Sequence, residues 1–360
     1  MLEITIAILD GLPDPVLLVN SRRSVIGANR AARELFVAPM VGNDLVVALR
    51  HPAALEAVDA VLRGATVREA EVTLPAPGSP SYRLIAAAVR GDEGRGADWP
   101  AAVVALQDLT AARLTERMRA DFIANASHEL RSPLASLVGF IETLKGPAKE
   151  DAEARERFLD IMHTEATRMA RLIDDLLSLS RVEIEERVPP RDAVDLAGVI
   201  RGTIDLLSMR AAERNVTLEL DCPVGVPSVL GDADQLAQVF RNLIENAIRY
   251  GRAGGRVAVS LRAVERIPER GVPGVAASVA DEGEGIPPDA LPRLTERFFR
   301  VDKARSKALG STGLGLAIVK HIVGRHRGRL AIESKLGQGS RFTVFIPSAP
   351  APAAAPGETR

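Results

Sequence analysis

An apolar stripe beside one histidine constrains the fold of this chain more than any other feature of its sequence. Within residues 123–144, apolar side chains recur at steps of three, four and seven, as on one face of a helix. The stripe consists of Ile123, Leu130, Leu134, Leu137, Ile141 and Leu144. His128 precedes Leu130 by two residues, about 200° around a helix, so we expect the imidazole to face away from the stripe. Pro133 offers no N–H to the carbonyl of Glu129, which predicts a kink beside the histidine.

The residue that follows His128 suits a nucleophilic imidazole. Glu129 can accept the proton from one ring nitrogen, which leaves the other nitrogen able to attack an electrophile. A histidine on a helix surface is more often an ordinary solvated residue, and His-Glu is a common dipeptide, so the pair alone does not decide the function.

Composition narrows the class of protein. A chain of 360 residues has room for two or three domains, and 46 basic against 47 acidic residues give no overall attraction for nucleic acid. The single cysteine, Cys222, excludes an internal disulfide and fits a reducing compartment. No apolar run approaches the roughly 18–20 residues that cross a bilayer, and the start lacks the basic flank of a signal peptide. We therefore expect a cytoplasmic protein, or the cytosolic part of a membrane-anchored sensor.

Changes in periodicity divide the chain into three regions and a tail. Residues 1–108 predict a small mixed α/β domain. Residues 109–188 carry two amphipathic helical patterns on either side of Gly146-Pro147, which predicts an αα-hairpin that pairs with a second copy as a four-helix bundle. Residues 189–348 predict an α+β domain, and residues 349–360 are an Ala/Pro-rich tail that we expect to be disordered.

Local patterns also predict individual elements. In the first region we expect a short helix at 29–36 and strands at 15–19, 24–26, 67–74, 82–89 and 101–106. In the last region we expect helices at 195–213, 233–250, 287–299 and 313–326. The strands expected there are 216–220, 257–262, 275–280, 329–334 and 341–346.

Four polar residues of the last region share one face of a predicted helix. Asn242, Asn246, Arg249 and Tyr250 stand at positions i, i+4, i+7 and i+8. Amide oxygens on that face suit Mg²⁺, which binds through few protein oxygens plus substrate phosphates. Arg249 can meet a phosphate and Tyr250 can border a base. The alternative is an ordinary solvated helix face.

Two glycine-bearing segments add to this pattern. In 281–286, glycines let the backbone approach a ligand, and Asp281 can accept a hydrogen bond from an exocyclic amine, although the segment alone is only a turn. Segment 310–319 opens a helix with glycines, whose N–H groups form a phosphate cradle. It lacks the Gly-Lys-Ser/Thr of a P-loop and the βαβ setting of a Rossmann turn. Residues 301–312 are polar and Gly/Ser-containing, which is typical of a loop that covers a nucleotide.

In this order the motifs resemble those of the sensor histidine kinases of two-component signalling. The matching segments are the H box around His128, the N box at 242–250, the G1 box at 281–286, the F box at 298–302 and the G2 box at 310–316. The first region is similar to a PAS sensor domain, because residues 103–110 resemble its last strand and the Asp-Leu-Thr hinge into the signalling helix. The order of the domains looks most like that of phosphate-regulon sensor kinases.

The resemblance implies an ATP-dependent protein-histidine kinase with a GHKL-type α/β-sandwich ATPase domain and Mg²⁺ as cofactor. It implies that His128 is the phosphoacceptor and Glu129 its proton acceptor. The residues implied around the nucleotide are Asn246 on Mg²⁺ with help from Asn242, Arg249, Lys303 and Arg305 on phosphates, Tyr250 beside the base, Asp281 on the adenine amino group, and Gly283, Gly285, Gly313 and Gly315 as shapers of the pocket. It further implies a homodimer that passes the phosphoryl group to the receiver domain of a separate response regulator.

Four features depart from the family pattern. Gly310-Ser311 stands where two glycines often occur. Phe299 stands where tyrosine is frequent, and Ser132 stands where threonine or asparagine serves the phosphatase activity of the family. Phosphate-regulon sensors usually carry an N-terminal membrane segment, which this sequence lacks. Two other functions stay open: a degenerate kinase that acts as a dimeric scaffold, and an ATPase of the same superfamily that drives conformational change.

Overall fold

The computed structural model describes residues 2–36, 39–74, 80–89, 99–185, 188–302 and 311–350. It divides into two compact units, Met1–Ala124 and Asn125–Arg360. No helix in the described ranges is both long and apolar enough to cross a membrane.

The first unit is built on a five-stranded antiparallel sheet in the order β2-β1-β5-β4-β3. Its strands are β1 Val16–Asn20, β2 Val25–Ala28, β3 Val67–Thr73, β4 Ser81–Ala88 and β5 Pro100–Asp108. The helices of the unit are α1 Leu2–Leu9, α2 Arg30–Leu35 and α3 Pro52–Leu62. The five predicted strands and the short helix are confirmed, whereas α1 and α3 were not anticipated.

Two long helices form the predicted hairpin. Helix α4 spans Thr110–Lys145 and α5 spans Ala152–Glu185, so the break expected at Gly146-Pro147 is confirmed. The rings of Phe140 and Phe158 stack between the two helices with centroids 5.2 Å apart. Helix α4 continues through Pro133, and the kink at that position stays a prediction.

The last region is a two-layer α/β sandwich. Its sheet has the order β11-β12-β10-β9-β7, and neighbouring strands are antiparallel except β7 and β9. These strands are β7 Thr217–Asp221, β9 Arg256–Val264, β10 Gly274–Asp281, β11 Arg329–Lys335 and β12 Gly339–Pro347. Helices α6 Leu196–Glu213, α7 Ala233–Tyr250 and α8 Gly315–Arg325 pack beside it. A two-stranded ribbon, β6 Ala193–Val194 and β8 Val229–Leu230, completes the region.

The helix predicted at 287–299 is wrong. The structure has only a 3₁₀ turn, Leu291–Arg293, in that interval. Pro287, Pro288 and Pro292 cannot donate the backbone hydrogen bonds of a helix, and Phe298 has a φ of 63°. The expected disorder of the C-terminal tail concerns residues that, from 351 onward, lie outside the described part of the chain.

Candidate nucleotide and phosphoacceptor site

A cavity of about 730 Å³ lies in the second unit. Eight of the predicted site residues line it: Asn242, Asn246, Arg249, Tyr250, Asp281, Gly285, Gly313 and Gly315. The structure therefore brings together three motifs that are far apart in sequence. Lys303 and Arg305, which were expected to face phosphates, lie outside the described residues.

Helix α7 places the asparagines in the cavity because its two faces differ. One face buries Phe240, Leu243 and Ile244 in the core, and the other carries the polar residues. The amide nitrogen of Asn242 donates to the carbonyl oxygen of Gly315 at 3.4 Å, which links α7 to the start of α8. Burial is the main cause that lowers the pKa of Arg249, and the nearby carboxylate of Glu245, 4.0 Å from its Nη2, opposes this shift.

Asp281 stands at the end of β10, where the sheet meets the cavity. Its Oδ1 accepts a hydrogen bond from the backbone N–H of Gly283 at 2.8 Å. Burial raises the pKa of this carboxyl group, and hydrogen bonds from the backbones of Gly283 and Ser340 oppose the shift. A half-buried acceptor of this kind is suited to select a ligand that offers an N–H group.

The turn after Asp281 requires glycine at two positions. A Cβ at Gly283 would lie 2.4 Å from the carbonyl oxygen of Tyr250, and one at Gly285 would lie 2.1 Å from that of Lys335. Gly285 also has a φ of +72°, which L-residues rarely adopt. At Gly315, in contrast, a Cβ would lie 3.6 Å from the nearest atom of Asn242, an ordinary contact.

His128 is exposed on α4, as its position relative to the apolar stripe predicted. Glu129 is half-buried, and its Oε2 lies 2.8 Å from Nη2 of Arg168 on α5 and 3.1 Å from Nη2 of Arg300. Ser132, one turn beyond His128, is exposed. Sequence reasoning gave no role to Arg168 or Arg300, because ion pairs between distant segments leave no local pattern.

Further side-chain contacts join α5 to the α/β sandwich. The hydroxyl of Thr312 donates to Oδ2 of Asp175 at 2.7 Å, and Ser178 bonds to Gln238 at 2.9 Å. An ion pair connects Glu183 with Arg297. Burial raises the pKa of Asp175, and the hydrogen bond from Thr312 opposes this shift. The hairpin and the nucleotide cavity thus share a polar interface that the sequence did not reveal.

Comparison with known protein families supports the interpretation of the helical hairpin as a phosphoacceptor domain and of the α/β sandwich as an ATPase domain. Residues 118–185 match the His Kinase A (phospho-acceptor) domain, and residues 231–350 match the histidine kinase-, DNA gyrase B-, and HSP90-like ATPase family. This chain belongs to the sensor histidine kinases. The first match contains His128 and Glu129, and the second contains the asparagine face of α7, Asp281 and the glycine segments.

Curated relatives match more than two thirds of this chain. Sensor-like histidine kinase SenX3 of Mycolicibacterium smegmatis is 40% identical over 251 residues, which are 70% of this chain and 63% of that protein. Phosphate regulon sensor protein PhoR of Pseudomonas aeruginosa is 41% identical over 249 residues, which are 68% of this chain and 53% of that protein. The chain thus spans between about half and two thirds of the length of these two relatives.

A solved histidine kinase has a similar fold. The crystal structure of histidine kinase ThkA in complex with response regulator protein TrrA matches this kinase with a TM-score of 0.51 at 18% identity. The match covers 95% of this chain and 98% of that one. At this identity the likeness concerns the fold alone.

Proposed function

We propose that this chain is an ATP-dependent protein-histidine kinase that phosphorylates itself on His128. The observation that carries the proposal is the exposed His128 beside the half-buried Glu129 on α4, in the same compact unit as a cavity lined by Asn246 and Asp281. The phosphoryl group then passes to an aspartate of a separate response regulator.

ATP is the substrate that the cavity fits. Asp281 accepts a hydrogen bond from the adenine amino group, and Tyr250 borders the base. Gly283 and Gly285 shape this wall because they let the turn pack closely against the backbone of Tyr250 and Lys335. Arg249 is proposed to face phosphates, because it is a cationic residue in the wall of the cavity. Lys303 and Arg305 are proposed for the same task on the basis of the sequence alone. Gly313 and Gly315 shape the backbone at the start of α8, which favours negative charge.

The residues of α7 also fit Mg²⁺, which would neutralise charge on the phosphates. Asn246, with help from Asn242, offers amide oxygens from one helix face, as suits an ion that takes few protein ligands plus phosphate oxygens. Within the described ranges, no group of three or more His, Cys, Asp or Glu side chains could hold a metal by itself. Asn246→Ala should abolish the Mg²⁺-dependent part of nucleotide affinity, and affinity measured with and without a chelator tests this role.

In the transfer step, a nitrogen of His128 attacks the γ-phosphorus of ATP and the bond from that phosphorus to the bridging oxygen breaks. Glu129 accepts the proton from the other ring nitrogen, and ADP leaves with the bond's electron pair. The protein contributes chiefly position and charge, as phosphoryl transfer generally requires.

Ser132 is proposed to assist dephosphorylation of the regulator. It is exposed one helical turn after His128, so both side chains reach the same solvent-facing region. Its hydroxyl can orient a water molecule, although it lacks the methyl group that restricts a threonine. A Ser132→Ala variant that dephosphorylates the regulator at the wild-type rate would exclude this role.

The first region is proposed to be a PAS-like sensor domain within the boundaries 1–108, followed by the hairpin at 109–188 and the ATPase domain at 189–348. Support comes from the sheet order β2-β1-β5-β4-β3 and from β5, which leads directly into α4. Where β5 ends and α4 begins, Asp108 accepts a hydrogen bond from the N–H of Thr110 at 2.7 Å. Limited proteolysis should yield fragments with these boundaries.

A role in phosphate-regulon signalling is proposed from the resemblance to PhoR. SenX3 and WalK sensors are nearly as similar, so overall identity does not separate these subfamilies. Phosphotransfer from the kinase to each receiver domain of its source organism would identify the regulator, and a partner outside the phosphate response would exclude this assignment.

Incubation of the purified protein with γ-labelled ATP and Mg²⁺ tests the main proposal. We expect acid-labile, alkali-stable label in the wild type and none in His128→Gln, because glutamine has no nucleophilic ring nitrogen. His163→Gln, which changes an exposed histidine of α5, is the matched control and should label normally. Absence of label in the wild type would favour a scaffold, and ATP turnover without label would favour a conformational ATPase.

A further inference from the structure

Arg300 takes part in two sites at once. Its side chain is 7% exposed and forms part of the wall of the nucleotide cavity. The same guanidinium group lies 3.1 Å from the carboxylate of Glu129, the residue beside the phosphoacceptor. Its Nε is buried and has no hydrogen-bond partner in the described part of the chain. The arginine therefore has a donor that Glu129 does not satisfy.

Glu129 has a second cationic partner that belongs to the hairpin alone. Nη2 of Arg168, a side chain only 11% exposed, lies 2.8 Å from the same Oε2 that Arg300 contacts. Arg168 also lies 3.4 Å from Glu165, one turn away on α5. The carboxylates of Glu129 and Glu165 both hold Arg168 in place. Glu129 therefore keeps one cationic partner when Arg300 moves away.

We propose that the nucleotide phosphates and Glu129 compete for Arg300. The proposal rests on the proposed kinase function and adds Arg300 to the residues that bind ATP. In the contact that the structure shows, Arg300 holds the Glu129 carboxylate. A bound polyphosphate draws the guanidinium into the cavity, and Glu129 is released to accept the proton of His128.

Charge and geometry favour this exchange. A polyphosphate carries more negative charge than one carboxylate, and a guanidinium group donates to phosphate oxygens through two parallel hydrogen bonds. The low exposure of Arg300 limits competition from water. Thermodynamic linkage then requires that Glu129 weakens nucleotide affinity as much as the nucleotide weakens the Glu129–Arg300 contact.

The affinity of the full chain for a non-hydrolysable ATP analogue with Mg²⁺, measured by calorimetry, tests the competition. Glu129→Gln removes the competing charge and should tighten binding by about fivefold to tenfold, the lower range of typical couplings between sites. Arg300→Gln should weaken binding. In the Arg300→Gln background, Glu129→Gln should have no effect, because the shared partner is gone.

Two matched variants separate competition from general loosening of the interface. Glu165→Gln removes the other carboxylate on Arg168, and Glu183→Gln removes an ion pair between α5 and Arg297. Both should bind the analogue within about twofold of the wild type. Melting curves establish that all variants are folded.

The competition is overturned if Glu129→Gln binds the analogue no more tightly than the wild type, or if Glu183→Gln gains as much affinity. It is equally overturned if the gain persists in the Arg300→Gln background. These results differ from failure of the proposed function, in which the wild-type protein would not bind the analogue or would not acquire label on His128.

Discussion

At the scale of single residues, the structure distinguishes glycines that the site requires from glycines that it tolerates. Gly285 has a positive φ, and a Cβ there would overlap the carbonyl oxygen of Lys335 at 2.1 Å. Gly285→Ala should therefore distort the turn after Asp281 at a cost of more than about 1–2 kcal/mol, the usual penalty for a left-handed L-residue. We expect a lower melting temperature and loss of nucleotide affinity.

Gly315→Ala is the matched control for that substitution. It also changes a motif glycine on the cavity wall, but the added Cβ makes only an ordinary contact at 3.6 Å with Asn242. Its melting temperature should stay close to that of the wild type, since alanine also favours the helix that begins there. Equal destabilisation by both substitutions would show that the close approach at Gly285 does not govern the turn.

At the scale of elements, a buried histidine joins the two helices that frame the cavity. His326 follows α8, and its Nδ1 lies 2.8 Å from the carbonyl oxygen of Ile322. Its Nε2 accepts a hydrogen bond from the N–H of Asp232, the N-cap of α7, at 3.0 Å. This acceptor role requires a neutral ring with the proton on Nδ1. Protonation of Nε2 would remove the link between the helices.

Stability should consequently fall in mild acid. Burial is the main cause that lowers the pKa of His326 in the folded state, whereas the unfolded chain protonates near its ordinary value of about 6.5. The unfolded state binds the proton first as pH falls below that value, so the free energy of unfolding decreases until the folded-state pKa is reached. His326→Gln should flatten this part of the pH dependence in denaturant titrations. An unchanged slope would show that another group is responsible.

The helices and strands show what the sequence could and could not predict. Helical and strand periodicity located α4, α5, α7 and the long strands, because each element buries one regular face. The false helix at 287–299 arose where apolar and charged residues mimic a helix but three prolines prevent it. Motif spacing also located the asparagine face and the Asp281 turn.

Contacts between distant segments could not be predicted in the same way. The ion pair between Glu129 and Arg300 joins residues 171 positions apart, and the bond between Thr312 and Asp175 joins residues 137 apart. Such pairs depend on tertiary packing and leave no trace in local periodicity. The cavity was therefore foreseen from the sequence, but its connection to the hairpin was not.

At the scale of the whole molecule, the apolar stripe of α4 indicates that the single chain is not the functional unit. Ile123, Leu134 and Ile141 are 57%, 52% and 43% exposed, although the sequence pattern places them on a face that should be buried. A second copy of the hairpin would cover this surface by forming a four-helix bundle. The homodimer implied by the resemblance therefore stays a prediction, with a defined surface to test.

Leu134→Glu should convert the dimer into a monomer, because a carboxylate in the bundle core would lose its hydration without gaining a partner. Sedimentation velocity of the full chain measures the change. Val224→Glu is the matched control, since Val224 is fully exposed in a loop between β7 and β8 and should leave the dimer intact. A wild-type protein that sediments as a monomer at micromolar concentration, or a Leu134→Glu variant that remains dimeric, would exclude this stripe as the dimer interface. The exposed leucine would then have to face another partner of the hairpin.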